Sequence, residues 1–377
     1  MAARHRPFDM NGDGFQDILA PPPRKASVAE AHPFLWYGSE SGVWKEAQLD
    51  VPKEIPYGYG SIAVADFNQD KIPDLALAMH MSPSQALIGS KDGKYRSFSS
   101  GLPSEKELTS RGLTAADLNK DGKPDLIIVS EADFSRIDYD VKGVMACYHD
   151  GDKWGCREVQ KDRKESGLFA DQVVTGDING DGYLDIAVAL LATEKNQVVW
   201  LNDGKGGFDP FNNGLPKDMI YNNVALGDIN GDGKDDLVAG MSGFGRKAFY
   251  GVRVFLSGPE GFTEHSEGLP EKESVKAVTL GDLNGDGVLE LVCGTGKGGV
   301  KVFTQDGSKW KEMPVSGFPT EGLATIYGIH CLDINNDGKL DVALNHAPGQ
   351  DEEGGGIKVY LNGKVPVAEP SKSKKNQ

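Results

Sequence analysis

The sequence predicts an all-β fold, a seven-bladed β-propeller of four-stranded antiparallel blades. Three observations predict it. A nine-residue motif opening Asp-x-Asn-x-Asp occurs seven times, with successive copies starting 57, 51, 60, 51, 54 and 51 residues apart. Each copy lies between short β-branched runs bounded by Gly, Asn, Asp and Pro, and Gly is abundant at 49 of 377 residues. No long stretch carries apolar residues at i, i+3, i+4 and i+7. Four strands in roughly 50 residues make one propeller blade, and a sheet of that size cannot bury both faces alone, so blades must stack.

The blades are expected at about 1–57, 58–108, 109–168, 169–219, 220–272, 273–322 and 323–367, with a disordered polar tail at 368–377. Within a repeat, an alternating segment such as Val224-Ala-Leu-Gly-Asp228 leads into the motif, and a β-rich run such as Asp185-Ile-Ala-Val-Ala follows it. Four residues ahead of the first Asp stand Ile62, Leu113, Val173, Val224, Val278 and Ile329. One residue ahead, copies two to six carry only Ala or Gly, as inner strands crowding a central axis require, whereas copy seven has Leu332. At the ends, Arg6-Pro-Phe8 leaves little room for a full first strand, and copy seven lacks a fourth strand of the Gly-x-Phe type. Val365–Ala368 or the N-terminus is expected to complete the ring.

The motif has the chemistry of a calcium loop. Positions 1, 3, 5, 7 and 9 are Asp9, Asn11, Asp13, Phe15 and Asp17 in the first copy, and Asp66, Asn68, Asp70, Ile72 and Asp74 in the second. The third has Asp117, Asn119, Asp121, Lys123 and Asp125; the fourth has Asp177, Asn179, Asp181, Tyr183 and Asp185. The fifth has Asp228, Asn230, Asp232, Lys234 and Asp236; the sixth has Asp282, Asn284, Asp286, Val288 and Glu290. The seventh has Asp333, Asn335, Asp337, Lys339 and Asp341. Calcium takes six to eight oxygens in a flexible cage. Side chains at 1, 3, 5 and 9 and the carbonyl at 7 supply them, and glycine at 6 permits the sharp turn. An EF-hand needs an acidic residue at position 12, but here that position is Ala20, Leu77, Ile128, Val188, Ala239, Cys293 and Leu344. The loop therefore opens into a strand, between the first and second of each blade. The other reading is a set of metal-free Asx-turns, which would crowd carboxylates without a counterion. Up to seven Ca²⁺ are expected, with the Asp66–Asp74 site doubtful because Lys71 replaces glycine at position 6. Magnesium, which prefers rigid octahedral sites, fits less well.

Charge and cysteine content narrow the classes further. The net charge is −16, which excludes a phosphate-neutralising surface and so nucleic acid, and argues against an anionic membrane. Seven Ca²⁺ would offset nearly all of it. No apolar stretch is long enough to span a membrane. Cys147 and Cys156 flank a turn and read either as a hairpin disulfide, which implies an oxidising compartment, or as two packed thiols. Cys293 and Cys331 fall in core strands and read as buried free thiols. The N-terminus has no apolar h-region, so the chain is either cytoplasmic or a mature form from which a signal was removed.

The loops, with Gly-Asp-Ile-Asn-Gly-Asp-Gly and the following Asp236-Leu-Val-Ala-Gly240, resemble the FG-GAP/VCBS repeat. The resemblance covers nearly the whole chain. It implies the seven-bladed propeller of integrin α-subunits and of many secreted bacterial and fungal proteins, with calcium ligands at positions 1, 3, 5 and 9. It also implies an extracellular or periplasmic location and a role in adhesion, glycan binding or polysaccharide cleavage; the fold does not choose among them.

Alternation places the connections entering each first strand on the face opposite the loops. They carry Tyr57, Tyr59, Arg111, Phe169, Tyr221, Asn222, Tyr327 and His330, which could stack on sugars and hydrogen-bond them or be ordinary loop polarity and packing. The long connections Pro21–Pro33, Glu131–Lys142, Ser242–Tyr250 and Ala347–Gly356 share that face. The expected function is a monomeric, calcium-stabilised binding or adhesion module for a glycan or an extracellular protein. The alternative is a polysaccharide lyase using His330 or His80 with a Tyr or Arg. No catalytic motif is present, so no catalytic residue is assigned.

Overall fold

The computed structural model describes residues 6–22, 31–130, 143–159, 169–192, 197–217, 219–243, 248–347 and 355–363. Blade one is β1 (Arg6–Phe8), β2 (Asp17–Ala20), β3 (Phe34–Tyr37) and β4 (Lys45–Ala47). Blade two is β5 (Gly60–Ala65), β6 (Asp74–Met79), β7 (Gln85–Gly89) and β8 (Tyr95–Ser97). Blade three is β9 (Ser110–Ala116), β10 (Asp125–Ser130), β11 (Val144–His149) and β12 (Trp154–Glu158). Blade four is β13 (Phe169–Gly176), β14 (Asp185–Ala192), β15 (Val199–Asn202) and β16 (Phe208–Pro210). Blade five is β17 (Met219–Gly227), β18 (Asp236–Gly243), β19 (Phe249–Gly258) and β20 (Gly261–Glu264). Blade six is β21 (Val275–Gly281), β22 (Glu290–Thr295), β23 (Val300–Asp306) and β24 (Lys309–Glu312). Blade seven has, among the described residues, β25 (Thr325–Leu332), β26 (Asp341–Ala347) and β27 (Gly356–Tyr360). Every sheet is an antiparallel meander in chain order. Among the described residues, no helix is long and apolar enough to cross a membrane.

Alternation along the second strand makes the ring. In β14, Ile186, Val188 and Leu190 pack toward blade three, while Ala187 and Ala189 pack toward blade five. Trp200, fully buried in the cluster shared with blade three, contributes roughly 2–3 kcal/mol of burial. The small residue ahead of loops two to six has a reason the sequence did not show. It faces the next blade rather than the axis: a Cβ on Gly176 would overlap the Asp235 carboxylate, and one on Gly227 would come within 2.9 Å of Leu280.

Two polar devices repeat between blades. Near the loop face, Asn202, Gln305 and Asn362 donate side-chain amides to the position-2 carbonyls of the preceding loops, Leu118, Ile229 and Leu283, at 2.7–2.8 Å. At the outer rim, the backbone N–H groups of Trp154, Phe262 and Trp310 donate to Ser100, Asn213 and Glu267 at 2.8 Å. Each acceptor precedes a Gly-Leu-Pro turn, at Gly101, Gly214 and Gly268.

The seam between blades seven and one is built differently. Apolar clusters join the described residues of blades one to two, and so on through six to seven. Blades seven and one meet through Gln16 N–H donating to Ile334 O at 3.0 Å, and through Leu361 against Gly42. Facing this seam, His32, Phe34 and Trp36 form an aromatic ladder with centroid spacings of 4.8 and 5.9 Å. Trp36 occupies the register of Trp200 and Phe255, yet it is only half-buried where they are fully buried.

Several end effects differ from expectation. Arg6–Phe8 does form a first strand, pairing Phe8 with Asp17, so the N-terminus serves blade one rather than blade seven. Val365–Ala368 and the tail lie outside the described residues, as do Glu131–Lys142 and much of the other three long connections. β17 begins at Met219, one residue ahead of the expected boundary. Cys147 and Cys156 are directly opposed on β11 and β12 and form a disulfide, with an S–S distance of 2.04 Å. Cys293 is a buried free thiol, but Cys331 is only half-buried.

Candidate metal loops and axial face

All seven loops wind the same way around the carboxylate at position 1. It accepts the N–H of position 5 at 3.0–3.2 Å and that of position 6 at 2.7–2.9 Å. The Asn at position 3 accepts the position-5 N–H at 2.8–3.2 Å. The carboxylate at position 5 accepts the position-7 N–H at 2.8–3.1 Å. In loop two, Lys71 takes a left-handed φ of 67° and still donates to Asp66 at 2.8 Å. The doubtful loop thus keeps the common winding, at a local strain of about 1–2 kcal/mol.

Position 9 has a role the sequence did not reveal. Asp17, Asp74, Asp125, Asp185, Asp236, Glu290 and Asp341 are essentially fully buried. One oxygen of each accepts the N–H of position 2 at 2.7–3.0 Å. In five blades the other accepts an N–H on or just past the third strand, from Gly38, Gly89, Asn202, Ser257 or Asn362, at 2.7–2.8 Å. Position 9 therefore pins its loop to strands two and three. In loop six the longer Glu290 also takes the Asn284 amide at 3.0 Å, whereas in the other loops that amide goes to position 5.

The electrostatics fit a cation. Burial pushes Asp74 and Asp236 up to about 6, and Asp125 and Asp185 up to about 7, against the backbone hydrogen bonds that hold them down. Asp17, Glu290 and Asp341 are raised for the same first reason. The carboxylates at positions 1 or 5 add to the rise in every loop. A dication would relieve this repulsion. Among the described residues, no group of three or more His, Cys, Asp or Glu side chains is placed to hold a metal. An all-oxygen cage here thus depends on the position-3 Asn and on a backbone carbonyl as well, donors that suit calcium.

On the opposite face, the first strands of five consecutive blades carry a β-bulge at one register. The residue left unpaired is Arg111, Asp171, Asn222, Lys276 or Tyr327, each six positions ahead of its loop's first Asp. A bulge re-aims a side chain, and these five form an arc at the inner rim. Neighbours join across blades: Arg111 Nε meets Asp171 Oδ1 at 2.8 Å, and Lys276 Nζ donates to Asn222 Oδ1 at 2.8 Å. Arg111 also lies 3.2 Å from His80 Nδ1 and 5.2 Å from the Tyr59 ring, which packs on the His80 ring at 4.4 Å.

The predicted face residues separate accordingly. Arg111, Asn222 and Tyr327 share the bulge register, and Tyr59 joins Arg111. Tyr221 is fully buried and donates its hydroxyl to Pro216 O at 2.9 Å, so it packs the core. Tyr57 is buried in the cluster between blades one and two. Ile329 belongs to the cluster shared with blade six, so alternation turns His330 toward the seam with blade one. The side chain of Phe169 lies outside what the structure describes. Asp171 and Lys276 were missed, although a polar column six residues ahead of the loops marks them.

The sequence matches the FG-GAP-like repeat over residues 9–77, 177–239 and 282–344. Among relatives, phosphatidylinositol-glycan-specific phospholipase D from Bos taurus is 31% identical over 175 residues, covering 40% of this chain. The Homo sapiens protein of the same name is 32% identical over 168 residues, covering 38%. In each case the match spans 20% of the relative's length. The fold resembles crystal structures of BBS1N in complex with ARL6DN. The lead-soaked structure gives a TM-score of 0.54 over 97% of this chain and 93% of that one. The mercury-soaked structure gives 0.55 over 96% and 91%. At 10% identity, that likeness is one of fold alone.

Proposed function

The chain belongs to the FG-GAP-like repeat family, and from that premise we propose that it is a calcium-stabilised module that binds a glycan through the face opposite the loops. The observation that carries the reading is the bulge arc. Polar side chains set into inner strands cost stability unless they are used, and five successive blades present one at the same height. Paired Arg–Asp and Lys–Asn groups, with Tyr59 beside Arg111 and Tyr327 at the same register of blade seven, offer the mixed donors, acceptors and rings that hydroxylated ligands take. The relatives named for a phosphatidylinositol-glycan favour a glycan over a protein as the ligand.

Calcium would be held by the side chains at positions 1, 3 and 5 and the carbonyl at 7, with the position-9 carboxylate behind them. It would hold each loop wound and add its binding free energy to folding. The Cys147–Cys156 disulfide supports an extracellular or periplasmic setting.

Two measurements test this. Chelation with EDTA should lower the melting temperature, and calcium added back should restore it; an unchanged melting curve sinks the calcium reading. A glycan array probed with and without calcium should give signals that Lys276→Ala weakens. No glycan signal together with a co-purifying protein points to a protein partner, and turnover of an acidic polysaccharide points to a lyase.

A further inference from the structure

Besides Lys71 at position 6, three loop residues outside the metal positions hold a backbone conformation that disfavours a β-carbon. Gln69 (φ 61°), Lys120 (φ 60°) and Asn336 (φ 57°) are left-handed, and each is position 4 of its loop. Loops one, four, five and six have glycine there, and its N–H donates to the position-1 carboxylate at 2.7 Å. The three exceptions use their side chains elsewhere. Gln69 Nε2 donates to Gly122 O at 2.9 Å. The Lys120 ammonium lies 3.8 Å from the centroid of the Tyr183 ring and beside Gly182. The Asn336 amide nitrogen lies 3.6 Å from where a β-carbon on Gly14 would sit. In every case the target is position 6 or 7 of the loop on the following blade. Loops four and five are tied as well, since Asp235 exchanges two hydrogen bonds with the Asp177 backbone at 2.8 and 2.9 Å.

We infer that Gln69, Lys120 and Asn336 are couplers that transmit the state of one loop to the next. Loops two to five then wind and unwind as one unit, and loops seven and one as a second that crosses the closing seam. Position 4 is left-handed only while its own loop is wound, so each contact exists only when both loops are formed. The coupling is therefore reciprocal. A hydrogen bond or an ammonium–aromatic contact of this kind changes an equilibrium constant by about two- to fivefold. Because a metal holds its loop wound, filling one loop raises the affinity of its neighbour by about the same factor. That last consequence rests on the calcium reading; the coupling of the loops does not.

Gln69→Gly and Asn336→Gly test it, being uncharged changes to the residue best suited to a left-handed position. In the full chain under EDTA, hydrogen exchange is read in the neighbouring loop, residues 121–125 for Gln69→Gly and 13–17 for Asn336→Gly. Exchange there should be about two- to fivefold faster than in wild type. Lys120→Gly, which also removes a charge, should do the same at 181–185. A change confined to the substituted loop overturns the inference. In calorimetric titration with calcium, the variants should bind the same number of ions with a shallower cooperative slope, and an isotherm identical to wild type also counts against coupling. If wild type binds no calcium, the calcium reading fails and hydrogen exchange alone decides.

Discussion

Replacing Asp185 by Asn separates the work of position 9 from that of any metal. Asp185 is fully buried, with Oδ2 accepting Ile178 N–H at 2.8 Å and Oδ1 accepting Asn202 N–H at 2.7 Å. Asn keeps the shape but offers one oxygen, so one of these donors meets an NH2 group instead. Losing a bond to a charged acceptor costs about 1.5–3 kcal/mol, and a buried donor left unpaired about 1–3 kcal/mol. Relief of the buried carboxylate, whose pKa burial pushes up to about 7, offsets part of this. The expected loss is about 2–4 kcal/mol. It is measured by urea unfolding in EDTA, with tryptophan fluorescence as the signal. The comparison is Asp181→Asn in the same loop, where the side chain is exposed. That variant should stay within about 0.5 kcal/mol of wild type in EDTA and differ only when calcium is present. If Asp185→Asn matches wild type in EDTA, or Asp181→Asn falls as far, position 9 does not pin the blade.

Three further outcomes are expected. Gly214 has φ 83°, and a Cβ there would overlap the Phe262 carbonyl of the next blade. Gly214→Ala should therefore cost about 2–4 kcal/mol in the same unfolding assay. Reducing the Cys147–Cys156 bridge, which closes a short hairpin, should cost about 2–3 kcal/mol, read as the shift in urea midpoint on adding dithiothreitol. His149 is buried among Phe67, Phe98 and Trp154 with neither ring nitrogen hydrogen-bonded, and burial pulls its pKa below 6.5. Lys123 lowers it further, while Asp121 and Asp150 oppose. The unfolded chain then takes up the proton first, so stability falls as pH drops below about 6.5. His149→Phe should remove that loss, and its advantage over wild type should grow from pH 8 to pH 5; a pH-independent difference would contradict the assignment.

The parts of this protein that were legible in its sequence are those set by local chemistry. Seven copies of Asp-x-Asn-x-Asp, each followed by an apolar position 12, mark the loops and the strands they open into. What stayed hidden depends on neighbouring blades. Asp171 and Lys276 look unremarkable until a one-residue bulge sets them beside Arg111 and Asn222. Tyr221 could from its sequence position either stack on a sugar or pack, and alternation through a bulge buries it. The buried role of position 9 needed the third strand, whose N–H comes 15 to 21 residues later in the five blades that use it. His330 faces the seam, whereas its equivalents Ala63, Val174 and Ala225 pack into apolar clusters between blades.

That seam has a kinetic meaning. Strand pairing within each blade and packing on the next blade join residues close in the chain, so they form at little entropic cost. Gln16 and Ile334 lie more than 300 residues apart, and their contact is a late event for a chain that grows blade by blade. Before it forms, the chain is an open curved stack whose two end sheets each expose a face. The half-buried Trp36 is therefore a natural reporter: its fluorescence should follow closure of the circle, while the buried Trp200 follows assembly of the stack.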